Sequence, residues 1–223
     1  MLKKQKILLI LLILIILLAG AFTVHKINQN KKDKEFLSKL TGEVVFTRRD
    51  KSGVSNIWKI NANGTGEIML FHNDKYGGPA KNFNSGSPQW SDDGTKIYFR
   101  SMDKDNKSKI FEMDFDGKNV KVNEELTKSK DADLRWVSKR SKEKDIIVEQ
   151  GNIYYLDENK NKNLIYKHKG WYSIDYHPGA EEVAWVLDKE YIIFQLNIGE
   201  IWFADKFGNA FKLTKGSKPD WKE

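Results

Sequence analysis

The hydrophobic pattern divides the chain into two unlike parts. From Ile7 to Val24 an unbroken uncharged run is dominated by Leu and Ile. As a helix rising ~1.5 Å per residue, it nearly matches a hydrocarbon layer ~30 Å thick. Lys3, Lys4 and Lys6 precede it. Cations are retained on the cytoplasmic side, so the short amino terminus is expected inside and everything after Val24 outside. Ala19, Gly20 and Ala21 also form a small-residue cleavage pattern, and a cleaved signal peptide followed by secretion is the alternative. The sequence reading therefore assigns 1–6 to a cytoplasmic basic flank, 7–24 to a transmembrane signal-anchor helix, 25–40 to a basic juxtamembrane linker and 41–223 to an exported folded domain.

Beyond Thr41 the pattern changes to short β-branched and aromatic runs broken by Gly, Asn and Asp, which predicts many strands. These runs repeat. Ile57–Trp58, Ile110–Phe111, Ile153–Tyr154 and Ile201–Trp202 each pair an Ile with an aromatic residue, and seven residues after each Ile stands Gly64, Gly117, Lys160 or Gly208. A five-residue strand entering a tight turn with positive φ accounts for that offset, with Asn159 beside Lys160 available for the strained position. Further apolar runs lie upstream at 44–46, 97–99, 146–148 and 183–187, and upstream again stand Trp90, Trp136 and Tyr176, with Trp221 near the end. The separations of these four aromatics, 46, 40 and 45 residues, suit a four-stranded blade.

The repeat begins in mid-unit at Gly42 and ends at 217–221 with what is elsewhere a first strand. The final strand is thus expected to complete the first unit. The predicted fold is all-β: a small β-propeller of about four blades, closed by its C-terminal strand and preceded by one transmembrane helix. The apolar stretch Tyr191 to Leu196 exceeds this count and reads as an inserted hairpin. Trp90, Trp136, Tyr176 and Trp221 are read as the structural repeat packing between blades.

Charge and composition narrow the functional classes. Of the net +7, the first six residues carry +3 and residues 25–40 another +3, leaving +1 for the domain. A nearly neutral domain lacks the electrostatic drive for nucleic-acid binding, while the juxtamembrane lysines suit anionic headgroups or a solvated linker. There is no Cys, hence no disulfide, lipidated cysteine or thiolate metal site.

The residues Ser87-Pro-Gln-Trp-Ser-Asp-Asp-Gly-Thr-Lys-Ile-Tyr-Phe99, followed by Lys109-Ile-Phe-Glu-Met-Asp-Phe-Asp-Gly117, closely resemble the repeat of TolB-like (WD40-like) β-propellers. That repeat joins a Pro-x-Trp-Ser strand, an Asp-Gly turn, an apolar strand, an Ile-aromatic strand and a second Asp-Gly turn, often ending in Leu-Thr, as at Leu126–Thr127 and Leu213–Thr214. The resemblance spans Gly42 to Trp221 and implies a docking surface for proteins. TolB itself differs in having six blades and a separate α/β domain, so a role in the Tol–Pal system is not carried over. Nor is the hydrolase activity associated with propellers of the prolyl oligopeptidase family.

No nucleophile, base and orienting acid stand in a recognisable pattern, and His25, His72, His168 and His177 show no paired spacing. The chain is therefore expected to be non-enzymatic and to need no cofactor. Asp103, Asp105, Asn106 and Ser108 form an oxygen-rich loop that could hold a cation, but it lacks the Gly and distant Glu of an EF-hand and is interrupted by Lys104 and Lys107, so it reads first as a solvated hairpin tip. The polar stretch from Asn73 to Ser85 holds Tyr76, Gly77, Gly78 and Phe83, either a contact loop or an accumulated insertion. The expected function is a membrane-anchored interaction module for an unknown protein or cell-envelope polymer. The alternatives are a small-molecule or glycan sensor and a hydrolase with a dispersed site.

Overall fold

A computed structural model describes residues 2–72, 86–103, 105, 107–128, 145–168, 180–196 and 199–222, with the backbone alone at 2–10 and 180–182. Helix α1 (Leu2–Leu37) is followed by β1 (Glu43–Arg49), β2 (Ser55–Asn61), β3 (Ile68–Phe71), β4 (Gly86–Trp90), β5 (Lys96–Met102), β6 (Ser108–Asp114) and β7 (Lys121–Val122). A short α2 (Glu124–Lys128) precedes β8 (Ile146–Glu149), β9 (Asn152–Leu156), β10 (Lys162–Tyr166), β11 (Ala180–Val186), β12 (Tyr191–Leu196), β13 (Glu200–Asp205), β14 (Ala210–Lys215) and β15 (Ser217–Lys222). The strands form four antiparallel sheets. In spatial order, sheet 1 is β15-β1-β2-β3, sheet 2 is β4-β5-β6-β7, sheet 3 is β10-β9-β8 and sheet 4 is β11-β12-β13-β14.

The last strand completes the first sheet. Glu43, Val44 and Val45 pair with Lys222, Trp221 and Asp220. Trp221 Nε1 donates to the Thr41 carbonyl at 3.1 Å, fastening the end of the chain to the start of β1. The sheets pack as neighbours from 3 to 4, 4 to 1 and 1 to 2, which explains the nearly continuous apolar character of their middle strands. In β1, Val44 and Phe46 face sheet 4 while Val45 faces sheet 2. In β12, Ile193 faces sheet 1 while Ile192 and Phe194 face sheet 3.

The turns repeat as faithfully as the strands. At Asp50, Asn61, Asp114, Asp157 and Asp205 the first residue's carbonyl accepts from the amide three residues on, and its amide donates four residues on. The side-chain oxygens of Asp50, Asp157 and Asp205 also take backbone amides within their turns, which fits this residue type to this position, while in the Asp114 turn the Lys118 amide goes to Asp116 Oδ1 instead. The residue three after Asn61, Asp114, Asp157 and Asp205 has positive φ: Gly64 at 83°, Gly117 at 83°, Gly208 at 86° and Lys160 at 65°. Lys160 itself bears the strain that the sequence reading offered to Asn159.

Three further expectations change. Tyr191 to Leu196 is no inserted hairpin but the regular second strand of sheet 4, and Val183 to Val186 belong to its first strand rather than its second. Their junction went unread because the turn has no Gly; Leu187, Asp188 and Lys189 take φ of 51°, 50° and 65° instead. The repeat's Leu-Thr ending, Leu126 and Thr127, lies in α2, with Asn123 Oδ1 capping the Leu126 amide. Finally, the segment expected as a linker is helical as far as Leu37. Phe36, Leu37 and Leu40 are buried in the core shared by sheets 1 and 4, where the Phe36 ring stacks on Phe211 at 4.1 Å and meets Tyr191 edge-on at 5.4 Å.

Candidate functional site

The first strands of sheets 1, 2 and 4 converge, with β15 packed against both β4 and β11. Each carries a register shift near its beginning, between Gly86 and Gln89, between Ser217 and Asp220, and between Glu181 and Ala184. Such bulges re-aim side chains. At two of them a residue before proline adopts positive φ, Ser87 at 57° and Lys218 at 53°. For residues with a Cβ this conformation costs of order 1 kcal/mol or more, so the surrounding structure must hold it.

What holds it is polar. The Lys218 amide donates to Gln195 Oε1 at 2.6 Å, and the Lys218 ammonium reaches Ser87 Oγ at 3.2 Å. Ser87 and Gln195 are buried, as is Thr47, whose Oγ1 has no hydrogen-bond partner. The set brings a lysine and neutral polar groups together at the convergence of three sheets.

Towards the other end of β15 the same face continues. Asp220 Oδ2 accepts from the Trp90 amide at 2.8 Å, and Lys222 lies 4.1 Å from the Trp90 ring centroid while donating to the Gly94 carbonyl at 3.0 Å. Lys222 and Lys59 both pair with Glu43, at 3.2 and 2.6 Å. Burial pushes the Glu43 carboxyl up, and the two lysines outweigh it, holding the group below its ordinary value. A second polar clasp joins sheets 1 and 4. Arg48 grips Glu67 with two hydrogen bonds of 2.6 and 2.8 Å and reaches Thr214 and the Lys215 carbonyl, its guanidinium lying over Phe46 and Trp58.

The structural aromatics follow the same geometry. Trp90 pairs with Ile97 and Trp221 with Val44, each across from the residue three after the repeat's Ile. In sheet 4 that register leads from Ala204 through Ile192 to Trp185. Trp185 thus holds in sheet 4 the register position of Trp90 and Trp221; it is 5% exposed and donates to Asp145 Oδ1 at 3.2 Å. Trp136 and Tyr176 lie outside the described residues.

Among the weak cation candidates, Asp103 Oδ1 is engaged by the amides of Asp105 and Lys107, and these hydrogen bonds, the Lys107 amide first, hold its carboxyl below the ordinary range. Asn106 lies outside the described residues, among which no group of three His, Cys, Asp or Glu is placed to hold a metal. Tyr76, Gly77, Gly78 and Phe83 also lie outside them. The strands flanking that segment end at Phe71 and begin at Gly86, the end of the sheets away from α1. His25 is exposed on α1, His72 Nε2 stands 3.9 Å from Asp50, His168 has both ring nitrogens buried without a hydrogen-bond partner, and His177 is outside the described residues.

The sequence reading missed Gln195 and the pairing of Ser87 with Lys218. A signal existed: Ser87-Pro88-Gln89-Trp90 and Lys218-Pro219-Asp220-Trp221 share a Pro-x-Trp frame.

No family model and no curated protein matches the chain. Among solved structures it is similar to a protein described as TolB from Agrobacterium tumefaciens, with 13% identity, 79% of this chain and 64% of that one covered, and a TM-score of 0.29. For TolB from Acinetobacter baumannii the figures are 13%, 79%, 53% and 0.28; for a tricorn protease they are 18%, 75%, 15% and 0.25. The chain thus spans less than two thirds of each of these structures, and likenesses this distant carry no argument about its function.

Proposed function

We propose that the protein is a membrane-anchored β-propeller whose exported domain binds a protein or envelope polymer through the end of its sheets away from α1. The observation that carries this reading is the pairing of β15 with β1, which joins both ends of a four-sheet chain in one sheet. The hairpin turns of these sheets fall at two ends, and α1 packs at one of them. The other collects the Asp50 and Asp103 turns and the polar groups around Ser87, Gln195 and Lys218. Helix α1 supports the anchor: its apolar side chains between Leu11 and Ile27 are 48–69% exposed, burying nothing within the protein. The role is binding rather than catalysis.

Two measurements test it. Since the chain has no cysteine, a Lys107→Cys variant labelled by an impermeant maleimide in intact cells supports export; labelling only after lysis refutes it. Capture from crosslinked membranes is then compared with a Lys51→Glu/Lys107→Glu variant altered at that end. A partner held by both proteins alike refutes the assignment of the face. The buried, unpartnered Thr47 hydroxyl favours a second reading, uptake of a small hydroxylated or anionic ligand beside Lys218. A metabolite and glycan panel that raises the melting temperature of the native chain but not of Lys218→Met would favour it.

A further inference from the structure

Four equivalent turns join the last two strands of each sheet along the chain, β2–β3, β6–β7, β9–β10 and β13–β14, and their third residues are Asn63, Asp116, Asn159 and Phe207. Three are polar, as a turn tip in water should be. Phe207 is 89% exposed, the most exposed large apolar side chain among the described residues. Its turn is otherwise regular: the Phe207 amide donates to Asp205 Oδ1, so the backbone does not require an aromatic there.

The turn lies at the end of the domain where α1 enters. Phe211, four residues on, stacks on Phe36, and Leu37 approaches the Gly64 turn of sheet 1. From Val24, the end of the apolar run, to Phe36 the helix rises ~18 Å. The tip of the β13–β14 hairpin reaches ~10 Å beyond Phe211 at the rise of a strand. This leaves ~8 Å to the hydrocarbon edge, comparable with a headgroup layer of about 5–7 Å. An amphipathic interface of that depth accepts a single aromatic side chain.

We infer that Phe207 is a second membrane contact, seated in the phospholipid headgroup layer and fixing the orientation of the domain on its helical stalk. This rests on α1 spanning the bilayer, as proposed above. The full chain carrying Phe207→Cys, and separately Asn159→Cys, is labelled with one polarity-sensitive fluorophore and reconstituted in phosphatidylcholine–phosphatidylglycerol vesicles bearing nitroxide lipids. Blue-shifted emission quenched by the lipid nitroxides at 207 but not at 159 is the expected result. Water-like emission at 207 overturns the inference, as does equal quenching at both sites, which the dye alone would cause. A signal that vanishes on dilution in lipid reports contact between two copies and also overturns it. Carbonate extraction of the same vesicles separates the two readings: a retained chain with a water-like probe sinks only the Phe207 contact, whereas a released chain sinks the anchor and the contact with it.

Discussion

Replacing Trp221 by alanine tests the join between the ends of the chain. The side chain is 7% exposed, within the core shared by Phe36, Val44, Phe46, Ile60 and Phe203. Burying an indole removes ~150–250 Å² from water, about 4–6 kcal/mol at ~25 cal/mol per Å². Residual burial in the unfolded chain trims this to roughly 3–5 kcal/mol, the range typical of aromatic truncations. The Thr41 carbonyl also loses its donor, worth ~1 kcal/mol. Against a typical domain stability of ~5–15 kcal/mol the loss is large. Urea unfolding of the full chain in nanodiscs, followed by far-ultraviolet circular dichroism, measures it, with Asn159→Ser at an exposed turn tip as the neutral reference. If Trp221→Ala costs less than ~1 kcal/mol, β15 does not close the first sheet in solution and the packing argument fails.

Trp185→Ala should cost about as much as Trp221→Ala, ~3–5 kcal/mol by the same measurement, because its register position is equivalent. At Gly42, where φ is 90°, an added Cβ would stand 2.1 Å from the Lys222 carbonyl oxygen, so Gly42→Ala should lower the melting temperature far more than Gly53→Ala, whose Cβ meets nothing within 4 Å. Arg48→Lys keeps the charge and loses the forked grip on Glu67; calorimetry should show ~1 kcal/mol lost, modest because both groups are partly exposed. The Asp93 carboxyl, bonded first by the Ser91 hydroxyl and then by the Thr95 amide, is lowered to about 2. A depressed folded value contributes stability above the unfolded pKa, near ~4, that is lost as pH falls through the folded value. Carboxyl NMR should place the Asp93 titration near 2 and move it upward in Ser91→Ala.

Much of this architecture is legible from local chemistry. The Asp-x-x-Gly turns, the Ile-aromatic strands and the out-of-phase ends each depend on a few adjacent residues, so their spacing alone predicts four sheets and the pairing of the last strand with the first. Sheet 4 was misread where that chemistry is missing: the Leu187 to Lys189 turn reaches positive φ without glycine, held by the strands around it. The Lys218–Gln195–Ser87 group was likewise hidden, its members standing 23 and 131 residues apart in sequence.

The sequence by itself determined the apolar helix, the mostly β character of the domain beyond it and the phase of the repeat, because hydrophobic periodicity and turn residues act within a few positions along the chain. Only the tertiary structure decided that this helix continues to Leu37 and ends inside the core of the sheets, and that Trp185 holds in sheet 4 the register position of Trp90 and Trp221. Both depend on which surfaces meet across long stretches of chain. A Phe beside lysines reads as linker until Tyr191 and Phe211 supply the apolar surface that buries it.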